Sequence, residues 1–128
     1  MSVRDKLRVL VVDDTSTSRG LILQALDGFG VRHVEYAEDG EKALESLGRR
    51  PVHLIISDYN MPNMDGLRLL HAVRSNAATA KTGFLLISGR ADDALLEAGK
   101  KLRMNNFLTK PFQPSDLRAA VESVVGRL

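Results

Sequence analysis

Apolar residues recur along the chain in two rhythms. Short stretches rich in Val, Leu and Ile read Leu7–Val12, His33–Ala37, His53–Ser57, Gly83–Ser88 and Met104–Thr109. Several are continuous apolar runs, the pattern of strands covered on both faces. Between them the spacing turns helical. Leu21, Ile22, Ala25, Leu26 and Phe29 form one stripe, and Ala43, Leu44 and Leu47 a second. Leu70 with Val73, Ala94 with Leu95 and Ala98, and Leu117, Val121, Val124 with Leu128 supply three more. Gly28, Gly30 and Gly48 stand where helices are expected to stop. Five strand-then-helix units in strict alternation predict a parallel sheet with helical crossovers, a three-layer α/β fold.

The 128 residues fit one domain spanning 1–128, with no output domain expected after the fifth helix. With no Cys, thiol nucleophiles, Cys-ligated zinc and iron–sulfur clusters are excluded. Lys and Arg number 18 against 16 Asp and Glu, and the basic residues are scattered, so nucleic-acid binding is not expected. No apolar run reaches the length of a membrane span and no signal peptide is visible, which makes the cytoplasm the expected address. His33, His53 and His71 lack metal-ligand spacing.

In open parallel sheets the ligand site lies beyond the carboxyl ends of the strands. Asp13 and Asp14 close the first strand, Asp58 the third, Ser88 the fourth, and Lys110–Pro111 the fifth. Three carboxylates gathered there repel one another and raise each other's pKa unless a cation sits among them. An oxygen-rich site with neither thiol nor imidazole suits Mg²⁺. Beside such an ion Asp58 stays ionised and can attack phosphorus, with Lys110 and the Ser88 hydroxyl placed for the phosphoryl oxygens. Asp65 is expected only to open the third helix.

These residues resemble the receiver domain of bacterial two-component response regulators, of the stand-alone chemotaxis CheY type. The resemblance rests on the acidic pair in VLVVDD, the segment ISDYNMPNMDG around Asp58, Ser88 in LLISGR, and LTKPF with Lys110. The spacings match as well: 44 residues from Asp14 to Asp58, 30 more to Ser88 and 22 more to Lys110. It covers the chain from about Leu7 onward. It implies a flavodoxin-like (βα)5 fold with strand order 2-1-3-4-5. Asp58 resembles the aspartate that takes a phosphoryl group from a sensor histidine kinase or a histidine phosphotransfer domain. Asp14, Asp58 and the backbone carbonyl of Asn60 resemble direct Mg²⁺ ligands, and Asp13 a carboxylate acting through metal-bound water. Ser88 and Phe107 resemble the switch pair, Lys110 the lysine that meets the phosphoryl group, and Lys110–Pro111 the family's cis peptide.

The implied protein is a monomeric phospho-acceptor switch, catalysing only its own phosphorylation and dephosphorylation. It would signal through the fourth helix, fifth strand and fifth helix to a partner such as a flagellar motor switch protein. Phe107 stands where the chemotaxis protein carries tyrosine, and Ser88 where threonine is commoner. Arg103 stands where many receivers have glycine, which argues against a tight left-handed turn before the fifth strand. Asn60 and Arg90, each two residues beyond a site residue, are expected to flank the phosphoryl group and set its lifetime. Lys100, Lys101 and Arg103 suit either a docking surface or a solvated helix end.

Three rival readings stand beside this one. A phosphate sink or relay intermediate would share every site residue. A Mg²⁺-dependent phosphohydrolase working through an aspartyl phosphate usually needs a second Asp where Asn60 stands. A flavodoxin-like cofactor binder would need phosphate-cradling glycines after the first strand, where this chain is acidic.

Overall fold

The continuous apolar runs become the interior of a parallel sheet. The computed structural model describes residues 2–90 and 92–128. Its strands are β1 (Arg8–Val12), β2 (His33–Ala37), β3 (Leu54–Asp58), β4 (Gly83–Ser88) and β5 (Asn106–Thr109). Among the described residues six helices accompany them: α1 (Val3–Lys6), α2 (Ser16–Gly28), α3 (Gly40–Arg49), α4 (Gly66–Ser75), α5 (Asp93–Lys101) and α6 (Pro114–Val125). The strand order is β2-β1-β3-β4-β5, all pairs parallel, as expected of a flavodoxin-like receiver fold.

Alternate residues of each strand serve opposite layers. Val9, Val11, Leu54, Ile56, Leu85 and Ile87 pack with α2 and α6 on one side. Leu10, Val12, Ile55, Phe84 and Leu86 pack with α3, α4 and α5 on the other. β3 and β4 are buried along their whole length. β2, at the sheet edge, is exposed or half-buried until Ala37. Fully burying one such Leu or Ile contributes about 1.5–3 kcal/mol, so the two layers fix the strand register firmly.

Four local expectations change. α1 is a single turn that no apolar stripe announces. β3 lies one residue further along than the apolar run suggested. Gly48 does not stop α3, which runs on to Arg49. The left-handed turn before β5 forms in spite of Arg103, which sits at φ +65°. There the Arg103 N–H bonds the Lys100 carbonyl and the Met104 N–H the Gly99 carbonyl, the paired bonds of a Schellman helix end. The Arg74 guanidinium donates to the Arg103 carbonyl at 2.9 Å and helps to hold it.

Candidate functional site

The carboxyl ends of β1, β3, β4 and β5 meet at one edge of the sheet. Asp13 follows β1 and is wholly buried (0% exposed), whereas Asp14, next along, is exposed. The backbone holds the pair. The Asp13 N–H donates to the Ala37 carbonyl at 3.1 Å, extending the β1–β2 ladder by one rung. Asp13 Oδ1 accepts from the Thr15 N–H at 2.9 Å and so fastens the entry to α2, whose Thr15 N-cap makes no side-chain cap of its own. Arg19, in α2, donates to the Asp13 carbonyl at 2.9 Å and stacks 4.6 Å from the centroid of the Tyr36 ring.

Asp58 is the last residue of β3 and 7% exposed. The loop behind it is drawn tight by Tyr59 N–H to Ile87 carbonyl at 2.7 Å and Gly66 N–H to Tyr59 carbonyl at 2.8 Å. A Cβ on Gly66 would fall 2.7 Å from the Asp58 carbonyl, so only glycine lets α4 start this close. Asp65 caps α4 by accepting from Arg68 N–H at 2.9 Å, the role expected of it. Asn63, at φ +68°, turns the loop in a conformation Asn tolerates well.

Lys110 enters from the far end of β5. Its N–H continues the β4–β5 ladder to the Ser88 carbonyl at 2.8 Å. The Lys110–Pro111 peptide is cis, and α6 then starts behind a capping box formed by Gln113 and Asp116, with Pro114 at its first position. The ammonium lies 3.2 Å from Asp58 Oδ1 and 3.8 Å from Asp13 Oδ2, and donates to Ser18 Oγ at 2.8 Å.

Carboxylate oxygens of Asp13, Asp14 and Asp58 all lie within 4.8 Å of one another. One lysine faces three carboxylates, which leaves the cluster negative. Burial raises the Asp58 carboxyl above the ordinary carboxylate range. The charge and hydrogen bond of Lys110 oppose that rise, and Asp13 and Asp14 add to it. Among the described residues Asp13 Oδ2 is the buried side-chain polar atom with no hydrogen-bond partner. A buried carboxylate oxygen left without a donor, in a negative cluster of hard oxygens, fits a divalent cation such as Mg²⁺.

Ser88, 4% exposed, ends β4, and its hydroxyl accepts from the Arg90 N–H at 3.1 Å. Phe107 is half-buried against the layer of α3, α4 and α5. Asn60 is exposed two residues beyond Asp58. The Arg90 side chain is 83% exposed and its guanidinium lies 3.7 Å from Asp92, the N-cap of α5. Asp13, Asp14, Asp58 and Lys110 are thus brought together, and Arg90 is turned toward α5. Ser18 and Arg19 were not anticipated; a polar residue on a helix carries no signal until the helix is placed beside the site.

Residues 9–122 match the model of the response regulator receiver domain family. The chain belongs to that family. It is 43% identical over 128 residues to a probable chemotaxis protein CheY of Rhizobium etli, covering 100% of this chain and 99% of that protein. Identity to chemotaxis protein CheY1 of Helicobacter pylori is 36% over 121 residues, covering 94% and 98%. The structure of chemotaxis protein CheY4 of Vibrio cholerae superimposes with a TM-score of 0.87 at 32% identity, covering 92% of this chain and 98% of that one. Receiver domains of the CheY type are signalling proteins, not metabolic enzymes, and bind Mg²⁺ at an aspartate cluster. Asp13, Asp14 and Asp58 form such a cluster in this receiver domain. Among the described residues no helix is long and apolar enough to cross a membrane.

Proposed function

We propose that the protein is a phospho-acceptor switch that takes a phosphoryl group from a sensor histidine kinase or histidine phosphotransfer domain onto Asp58. The observation that carries the reading is buried Asp58 beside both the Lys110 ammonium, at 3.2 Å, and the carboxylate of Asp13, whose Oδ2 has no hydrogen bond. A carboxylate oxygen of Asp58 attacks phosphorus as the donor's P–N bond breaks and the imidazole leaves with its electron pair. Asp13, Asp14, Asp58 and the Asn60 carbonyl are the proposed holders of Mg²⁺, which when bound would neutralise charge on the phosphoryl oxygens. Lys110 supplies the second positive charge, and the Ser88 hydroxyl gives up the Arg90 N–H to turn toward the acquired group.

The apolar groove beside Lys110 supports docking of the donor's helix at this end. Leu21, Ala25, Phe29, Phe112 and Pro114 line it, and Leu21 is 60% exposed without an apolar cover among the described residues. The signal leaves through α5, β5 and α6, the fourth and fifth long helices with the fifth strand, as Phe107 follows Ser88 inward. The output partner is a protein such as a flagellar motor switch component, bound by a cytoplasmic receiver domain acting as a monomer. Arg90 tunes the phosphoryl lifetime. Its exposed pair with Asp92 contributes little, so the guanidinium is free to swing over the site. Arg90→Ala should change the decay rate with Mg²⁺ affinity held, and identical decay curves would remove Arg90 from the account.

Incubation with Mg²⁺ and a small phosphodonor should add one phosphoryl group, read as the intact mass. Asp58→Asn should gain none, and chelation of Mg²⁺ should abolish the gain. Labelling at another residue, or labelling that survives chelation, would defeat the assignment.

A further inference from the structure

The shortest polar contact of the Lys110 ammonium is not with a carboxylate. It is the bond to Ser18 Oγ at 2.8 Å, from a residue 92 positions away in sequence. Asp58 Oδ1 follows at 3.2 Å and Asp13 Oδ2 at 3.8 Å. An ammonium has three donors in a fixed tetrahedral arrangement on a flexible stem. Here three oxygens surround it, on α2, on β3 and just past the end of β1, and two of the three belong to carboxylates. Electrostatics alone would draw Lys110 onto the two carboxylates, into the space a cation and a phosphoryl group require. Ser18 is neutral, so it takes up one donor without cancelling the charge.

We infer that Ser18 is a positioning residue of the site: its hydroxyl holds the Lys110 ammonium toward α2, and so keeps Asp13 and Asp58 open to a divalent cation and a phosphoryl group. The inference rests on the phospho-acceptor reading for its rate consequences, but its metal-binding consequence stands apart from that reading. Ser18 sits in the first turn of α2, two positions after the start of the helix, where its side chain serves no cap. It also lines the apolar groove with Lys110, Leu21 and Phe112, so a ligand seated there would touch both ends of the Ser18–Lys110 bond.

The test compares Ser18→Ala with Ser18→Thr in the full chain. Alanine is the better helix former, so Ser18→Ala should melt no lower than wild type, and a lost fold will not mask the result. Without the hydroxyl the ammonium closes on the carboxylates and competes with the metal. Calorimetric titration with Mg²⁺ alone should show binding weakened about threefold to tenfold, the scale of one ordinary net hydrogen bond. The ¹⁵Nζ resonance of Lys110 should shift before any metal is added. Phosphorylation by a small phosphodonor should slow by a similar factor, with Ser18→Thr within about twofold of wild type on every measure. Mg²⁺ binding unchanged or tighter in Ser18→Ala, or a threonine variant as impaired as alanine, would overturn the inference. Should wild type gain no phosphoryl group at Asp58, the functional reading fails, while the Mg²⁺ titration and the Lys110 resonance still decide on Ser18.

Discussion

Two cations anchor opposite ends of this sheet, and their surroundings differ in kind. At the amino end of β4 and β5, Arg74 from α4 meets only neutral acceptors. It donates to the carbonyls of Ala80 (3.1 Å), Thr82 (2.6 Å) and Arg103 (2.9 Å) and to Asn105 Oδ1 (3.0 Å). Its planar fork is filled, and the two segments that follow α4 and α5 are tied together. At the carboxyl end Lys110 meets two carboxylates and a hydroxyl, and leaves Asp13 Oδ2 without a hydrogen bond. A cation that completes its neighbours' hydrogen bonding is structure. One that leaves a negative cluster with a buried carboxylate oxygen lacking a hydrogen bond marks a site suited to a cationic ligand.

That contrast breaks if the two cations respond alike to removal. The largest effect on stability should come from Arg74→Ala, which strands several carbonyls at once and should cost about 3 kcal/mol in denaturant unfolding. Phosphoryl gain at Asp58 should survive in whatever fraction stays folded, and added Mg²⁺ should not restore the lost stability. Lys110→Ala should behave in the opposite way. Its destabilisation, about 1–2 kcal/mol at low salt from the uncompensated carboxylates, should be recovered by millimolar Mg²⁺, while the phosphoryl response is lost. Equal Mg²⁺ rescue of both variants would mean that the two ends are not different in kind.

A third effect follows from the raised Asp58 carboxyl. Folded protein then holds a proton at Asp58 that the unfolded chain has already released. Stability from this group is therefore full at acid pH. It falls as pH rises above the ordinary carboxylate value, and the fall is complete once the raised value is passed. Asp58→Asn removes this penalty. Without divalent metal, the variant should gain on wild type steadily between acid and neutral pH, and Mg²⁺ should narrow the gap. Parallel stability curves for the two proteins would show that burial does not burden Asp58.

Chemistry that lies at strand ends was open to reading because strand ends announce themselves. Val9–Val12 is an unbroken apolar run that stops at a carboxylate and Leu54–Ile56 one that reaches a carboxylate after a single serine, so Asp13 and Asp58 stood out before any contact was known. Ser88 and Lys110 followed in the same way. What stayed hidden depends on how helices dock. Ser18 reaches Lys110, Arg19 the Asp13 carbonyl and Arg74 the Arg103 carbonyl across gaps that no local periodicity encodes. Side-chain direction is hidden for the same reason. The position of Arg90 places it beside the site, yet its guanidinium faces Asp92. β5 shows the limit for backbone, since Asn105 spends its side chain on the Phe84 N–H at 2.8 Å and the regular strand starts only at Asn106.

The smallest effect tests the structural end of the comparison most finely. α2 and α5 finish in the same motif. After α2, the Gly30 N–H bonds Asp27 and the Val31 N–H bonds Leu26, with Gly30 at φ +82°. After α5, Arg103 takes the equivalent place at φ +65°, and Met104 packs on Gly99, where a Cβ would collide with the methionine sulfur. A left-handed residue with a Cβ stores about 1 kcal/mol that glycine does not. The strain is tolerated because the Arg103 carbonyl accepts two bonds from Arg74, Nε at 3.3 Å and Nη2 at 2.9 Å. Arg103→Gly should therefore stabilise the protein by no more than about 0.5 kcal/mol, the relieved strain less the entropy glycine adds to the unfolded chain. In an Arg74→Ala background the gain should grow, because the bonds that hold the strained turn are gone. A double-mutant cycle on unfolding free energy reads that coupling directly. Additive effects would mean that Arg74 bears on the carbonyls of Ala80 and Thr82 and leaves the turn to hold itself.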